Sequence, residues 1–223
     1  MAGEYLYGYS PWRFKVGQAV IGGAARMLTR LRVYGLEGFP REGGLVFAMN
    51  HLGWVDPLCF GAAAPRRVYF LAKVEADRLP GLGQLIRFFG SIPVRRGESD
   101  RDAVRLMREV ARADEALGVF VEGTRQRSGV PGEAKLGAAM VALREDVPVL
   151  CGAIRGTESW QPWNFRPVSI AFGRPLSFSG LPAGSKGYRE ATAEIEREIY
   201  RLWEWLGDVN EQGRPRGLVV PPA

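Results

Sequence analysis

The sequence is short of side chains on which many enzymes depend. Its 223 residues include one histidine, His51, and two cysteines, Cys59 and Cys151. So few nitrogen and sulfur ligands argue against a zinc site. Both cysteines lie in apolar stretches, which predicts reduced core residues of a cytoplasmic protein rather than a disulfide framework. Only four lysines occur, Lys15, Lys73, Lys135 and Lys186. No uninterrupted apolar run reaches the ~18–20 residues that span a bilayer, and the N-terminus has no signal-peptide pattern. Integral membrane insertion is therefore not expected. There is no recognition helix, ribonucleoprotein motif or basic block, so nucleic acid is not an expected partner.

What is present is an ordinary globular composition, 46% hydrophobic, with a formal charge of +6. That charge suits anionic partners: a phosphorylated substrate, an acidic carrier protein or an anionic membrane surface. No repeat or low-complexity linker divides the chain, and one main domain is expected over residues 33–213. Before it, residues 1–32 form an amphipathic helical segment. Trp12, Val16, Val20, Ala24, Met27, Leu28 and Leu31 recur at three- and four-residue spacing, bordered by Arg13, Lys15, Arg26, Arg30 and Arg32. That stripe fits either a helix packed on the domain or one lying in a membrane interface, and Gly22-Gly23 is a place where it could divide. After the domain, residues 214–223 read as a flexible, proline-rich tail.

The body alternates apolar runs with helical patterns. Strands are expected at Leu45–Met49, Val68–Ala72, Ser91–Arg95, Val119–Glu122, Val147–Arg155 and Val168–Phe172. Helices are expected at Pro57–Ala64, Leu82–Phe89, Asp100–Leu117 and Lys135–Arg144, with a long amphipathic helix after Ser185. This order predicts an α/β fold, a mostly parallel central sheet flanked by helices.

Three stretches carry residues capable of chemistry. The first is Asn50-His51-Leu52-Gly53-Trp54-Val55-Asp56-Pro57, after the first long apolar run. A histidine's ordinary pKa, ~6.5, makes His51 the natural proton acceptor near neutrality. On one continuous helix His51 and Asp56 would point about 140° apart. Asp56 precedes Pro57, however, which favours a helix starting there, with Asp56 as its cap and His51 in the preceding loop. A loop of that length can fold the carboxylate onto the imidazole. By itself the motif reads more readily as a helix cap beside an unrelated loop histidine.

The second stretch, Gly90-Ser91-Ile92-Pro93-Val94-Arg95-Arg96, ends an apolar strand in two guanidinium groups, which suit phosphate oxygens or solvent alike. The third, Phe120-Val121-Glu122-Gly123-Thr124-Arg125-Gln126, delivers a carboxylate, a glycine and an arginine into a polar loop. It fits an anion site or a turn closed by a local ion pair. A further run, Val147 to Thr157, is a core strand without chemistry of its own.

In this order and spacing the motifs resemble those of the glycerolipid acyltransferase family, the PlsC-type 1-acyl-sn-glycerol-3-phosphate acyltransferases. The resemblance spans about residues 33–175. His51 and Asp56 match the Asn-His-x4-Asp motif, Gly90 to Arg96 the second, Phe120 to Gln126 the third, and Val147-Pro148-Val149 the fourth. Val121, Gln126 and Cys151 depart from the family pattern without removing a charged or nucleophilic group.

The resemblance implies acyl transfer from acyl-CoA or acyl-carrier protein to the sn-2 hydroxyl of a lysophospholipid, lysophosphatidate, making phosphatidate. In that reading His51 is the general base and Asp56 its orienting carboxylate. Arg125 and Lys73 bind the phosphate, Arg96 and Glu122 shape that site, and Gly123 and Thr124 position the substrate. No cofactor is implied. A peripheral or interfacial place on the cytoplasmic face of the membrane follows. The alternatives are the same chemistry on glycerol 3-phosphate, another lysophospholipid or a glycolipid, and a non-catalytic lipid-binding or membrane-tethering protein.

Overall fold

A computed structural model describes residues 11–73, 90–94 and 100–220. The expected helix Leu82–Phe89 and the candidate Arg96 lie outside these residues. The described elements in chain order are α1 (Pro11–Leu28), β1 (Arg32–Tyr34), a 3-10 turn (Leu36–Gly38), β2 (Leu45–Met49), α2 (Asp56–Ala63), β3 (Val68–Lys73) and β4 (Ser91–Val94). They continue as α3 (Asp100–Arg112), β5 (Ala116–Phe120), α4 (Gly137–Glu145), β6 (Val149–Arg155), β7 (Ser169–Leu176) and α5 (Ser185–Glu211).

The strands form one seven-stranded sheet in the order β1-β7-β6-β2-β5-β3-β4. Five neighbouring strands, β6, β2, β5, β3 and β4, run parallel, while β7 pairs antiparallel with β6 and carries β1 parallel at the edge. The α/β fold with a mostly parallel sheet is as the sequence leads one to expect.

β2 sits at the centre and all five of its residues are buried. A strand covered on both faces has no reason to alternate with polar residues, hence the apolar run from Leu45 to Met49. Its side chains divide by parity. Val46 and Ala48 join Val149, Cys151 and Ala153 of β6 beneath α3, α4 and α5. Leu45, Phe47 and Met49 join Leu150 and Ile154 on the opposite face, under α2. Both cysteines are buried and free, and burial pushes both thiols up.

Four details depart from expectation. The helix expected through Leu117 stops at Arg112. Asp114 turns left-handed (φ 57°), and Ala116 and Leu117 pair with Leu45 and Val46. Sheet pairing in the core overrides helix propensity there, and β5 consequently ends at Phe120, before Glu122. Second, α1 runs through Gly22-Gly23 unbroken, and a Cβ on Gly22 would meet Ala62 of α2 at 3.5 Å.

Third, the α1 stripe is divided: Val16, Val20 and Met27 are exposed, while Leu28 and Leu31 pack on the core. Beside the close approach at Gly22, polar contacts tie α1 to α2. Gln18 Nε2 donates to the carbonyls of Gly61 and Ala64, and the Arg26 guanidinium donates to that of Ala62. These are carbonyls at the end of a helix, which have no partners within it. Fourth, residues 214–220 pack back onto the domain instead of trailing. Arg214 donates to Ser169 Oγ and to the carbonyls of Arg30 and Val168, the Tyr34 hydroxyl donates to the Pro215 carbonyl, and Val220 is buried.

Candidate active site

The C-terminal ends of the parallel strands meet along one edge of the sheet, where α/β proteins hold their ligands. Here β2 delivers Asn50 and His51, β3 ends at Lys73, and β5 leads into Glu122 to Arg125.

Asn50 is fully buried, and its side chain pairs with the backbone of β6. Nδ2 donates to the Ile154 carbonyl at 3.0 Å, and Oδ1 accepts the Ile154 N–H at 2.8 Å. This fixes where the chain leaves β2, and so where His51 begins. The third stretch holds the next residue: the His51 N–H donates to Glu122 Oε1 (3.3 Å), and its carbonyl accepts the Gln126 N–H (2.8 Å).

The imidazole is held as firmly as the backbone. Its ring stacks on Phe120 with centroids 4.1 Å apart, and Nδ1 lies 2.8 Å from Asp56 Oδ2. Asp56 is fully buried, and the same oxygen accepts the N–H groups of Leu52 (2.7 Å) and Gly53 (2.8 Å). Hydrogen bonds to an ionised group contribute about 1.5–3 kcal/mol each, so this loop can carry a buried carboxylate. An ionised carboxylate only accepts, which puts the proton of the shared contact on Nδ1 and leaves Nε2 bare. His51 keeps 17% of its side chain exposed, enough for a substrate hydroxyl to reach it.

The expected cap at Asp56 needs correcting. Val55 holds the capping position without a side-chain cap bond, Asp56 is the first helical residue, and Pro57 follows in the first turn. The three donors around Oδ2 all lie upstream, so the carboxylate turns back on the loop rather than capping its own helix.

Glu122 is buried too, and it does not pair with Arg125. Oε1 accepts the N–H groups of His51 and Gly132 (3.4 Å), while Oε2 is buried without a hydrogen-bond partner. Desolvation outweighs those two backbone donors and raises its pKa from 4.5 to about 7. Glu122 thereby ties the two loops together. Gly123, Thr124 and Arg125 follow on the exposed side of the same turn, with Gly123 left-handed at φ 70°. Lys73 ends β3, in register with Val94 of β4.

Two contributors escaped the sequence reading. One is Asn50, quoted in the motif but given no task. The other is Lys135, whose backbone N–H donates to the Val121 carbonyl (2.9 Å) and whose Nζ stands 3.1 Å from where a Cβ on Gly123 would lie. A scarce lysine beside an apolar helix was the available signal for it. Among the described residues no group of three or more His, Cys, Asp or Glu side chains could hold a metal ion.

Fold and site together describe an α/β protein whose parallel strands bring a carboxylate-backed imidazole and a cation-bearing loop to one edge. A family model described as Acyltransferase matches residues 30–155, more than half of the chain, so the chain belongs to the acyltransferase family. It is 27% identical over 183 residues to the 1-acyl-sn-glycerol-3-phosphate acyltransferase of Bacillus subtilis, covering 77% of this chain and 91% of that one. It is 31% identical over 118 residues to the lyso-ornithine lipid O-acyltransferase of Rhodobacter capsulatus, covering 52% of this chain and 41% of that one. Its fold is that of the 1-acyl-sn-glycerophosphate (LPA) acyltransferase PlsC from Thermotoga maritima. The TM-score is 0.69 at 23% identity, over 89% of this chain and 85% of that one.

Proposed function

We propose that this chain moves a fatty acyl group from a thioester, acyl-CoA or acyl-carrier protein, to the sn-2 hydroxyl of 1-acylglycerol 3-phosphate. The observation that carries this reading is the His51 Nδ1–Asp56 Oδ2 contact of 2.8 Å at the sheet edge. Nε2 accepts the hydroxyl proton as the oxygen attacks the thioester carbonyl, with no acyl-enzyme step. The imidazolium that forms is stabilised by Asp56 and returns its proton to the departing thiolate, so the base is restored each cycle. Arg125, Lys73 and Arg96 supply positive charge for the acceptor phosphate. Lys135 joins them through its place beside Gly123. Glu122 holds the His51 backbone, and Gly123 and Thr124 present the turn against which the acceptor is positioned.

In this reading residues 33–213 are the catalytic domain and 1–32 its interfacial segment. No described helix is long and apolar enough to cross a membrane. The exposed Val16, Val20 and Met27 on a helix whose charged neighbours are basic favour peripheral attachment to an anionic leaflet, placed on the cytoplasmic side.

The relative that acylates a lyso-ornithine lipid favours a second reading, the same chemistry on a phosphate-free lyso-lipid. A thioester-release assay across lysophosphatidate, glycerol 3-phosphate, larger lysophospholipids and lyso-ornithine lipid separates the two. Fastest turnover on lysophosphatidate supports the first. Preference for a phosphate-free acceptor overturns it, and no release with any acceptor would leave only lipid binding.

A further inference from the structure

Between β6 and β7 the chain makes a loop, residues 156–168, that walls the His51 loop. Gly53 has no room for a side chain, because the Thr157 carbonyl oxygen lies 2.4 Å from where its Cβ would stand. The rings of Trp54 and Trp160 pack at 5.5 Å. The tip of the loop carries Trp163 and Phe165, 75% and 50% exposed, and Trp54 beside it is 48% exposed. Three large aromatic side chains thus face out, two of them on a loop whose base packs against the His51 loop, although the core has taken in aromatic rings elsewhere.

The tip is built to hold them out. Asn164 Oδ1 accepts the N–H groups of both Gln161 and Arg166 at 3.1 Å, and its Nδ2 donates to the Ser159 carbonyl at 2.8 Å. Arg166 Nη1 donates to Ser159 Oγ at 2.8 Å. Phe165 itself is left-handed, φ 44°, a conformation unfavourable for a bulky residue. A loop braced by four hydrogen bonds and strained at a phenylalanine presents its rings by construction, not by looseness.

The neighbouring sequence is poor in negative charge. From Ser159 through Arg189 there is no Asp or Glu, and none from Tyr5 through Leu36. The one acid in the loop, Glu158, is tied to its base through the Gly156 N–H. These two acid-free stretches meet in space: the Val168 N–H donates to the Thr29 carbonyl at 2.9 Å, two residues past the exposed Met27 of α1. The last residue of the loop is thus joined to the chain just past the end of α1. Exposed tryptophan and phenylalanine with basic residues and a single acid at the loop's base is chemistry that suits an anionic bilayer surface.

We propose that the loop 156–168 is a second lipid-docking element, which seats Trp163 and Phe165 in the headgroup–acyl boundary of an anionic bilayer. The idea rests on the lipid-acceptor reading above, but its test needs no turnover. The full chain is sedimented with phosphatidylglycerol–phosphatidylcholine vesicles, wild type against the double variant W163S/F165S and the apolar control W163F/F165L. Partitioning is expected to fall at least about tenfold in the first and to persist in the second. In wild type, amide exchange over 160–166 should slow when vesicles are added, which keeps the proposal testable should the double variant fold poorly. Vesicle affinity unchanged by W163S/F165S overturns it, and so does exchange indifferent to vesicles. A raised KM for acyl-carrier protein with unchanged vesicle affinity would give the loop to the donor and also overturn it. A wild-type chain inactive on every acceptor yet protected at 160–166 would sink the acyl-transfer reading and leave this one standing.

Discussion

The side chain of Asn50 pairs with the backbone of Ile154 as one more strand residue would, giving one hydrogen bond and taking another. Through that pairing β6 sets where the His51 loop starts. Asn50→Ala leaves a buried N–H and a buried carbonyl without partners. It should cost about 2–4 kcal/mol of stability, read from denaturant midpoints. A cost near zero would show that β2 alone positions His51.

Glu122 gives a pH signature whose sign is fixed. Burial raises its pKa from 4.5 to about 7, so the folded protein binds this proton more tightly than the unfolded chain. The contribution to stability is full below the unfolded value and is lost as the pH climbs through about 7. Glu122→Gln keeps the accepting oxygen and cannot ionise. Thermal melts at a series of pH values across that window should therefore decline less in the variant. Parallel declines would assign the titration to another group.

Much of this was legible in the sequence, for physical reasons that differ by element. β2 announces itself because both its faces are buried, so the run from Leu45 to Met49 is wholly apolar. The boundary between α3 and β5 does not, because Ala116 and Leu117 suit a helix until Leu45 and Val46 claim them. The α1 pattern reveals an apolar stripe but not its direction, since periodicity defines two faces and says nothing of what lies opposite each. In the site, His51, Asp56 and Glu122 stand out by chemistry. Lys135 becomes a neighbour of Gly123 only when the loop has turned back on itself, a closure that composition does not encode.

In the proposed mechanism Asp56 acts through His51, whose Nδ1 it contacts. In Asp56→Asn the amide oxygen can still accept from Leu52, Gly53 and Nδ1, so the loop keeps its shape while the charge that stabilises an imidazolium is gone. kcat should fall by about 10²–10⁴-fold with KM little changed. A loss confined to KM would make the carboxylate a substrate contact.

Arg125 lies on the exposed side of the turn that grips His51. Arg125→Ala should raise KM for a phosphorylated acceptor about tenfold or more and leave a phosphate-free acceptor nearly unaffected, by steady-state kinetics on both. Equal effects on the two would move the phosphate site elsewhere.

The central claim is that the bare Nε2 of His51 takes the acceptor proton. Its most direct test is the rate of thioester consumption by His51→Ala with saturating lysophosphatidate, in protein shown by its melting transition to be folded. The account predicts a fall of about 10³-fold or more. Turnover within a few-fold of wild type would contradict it.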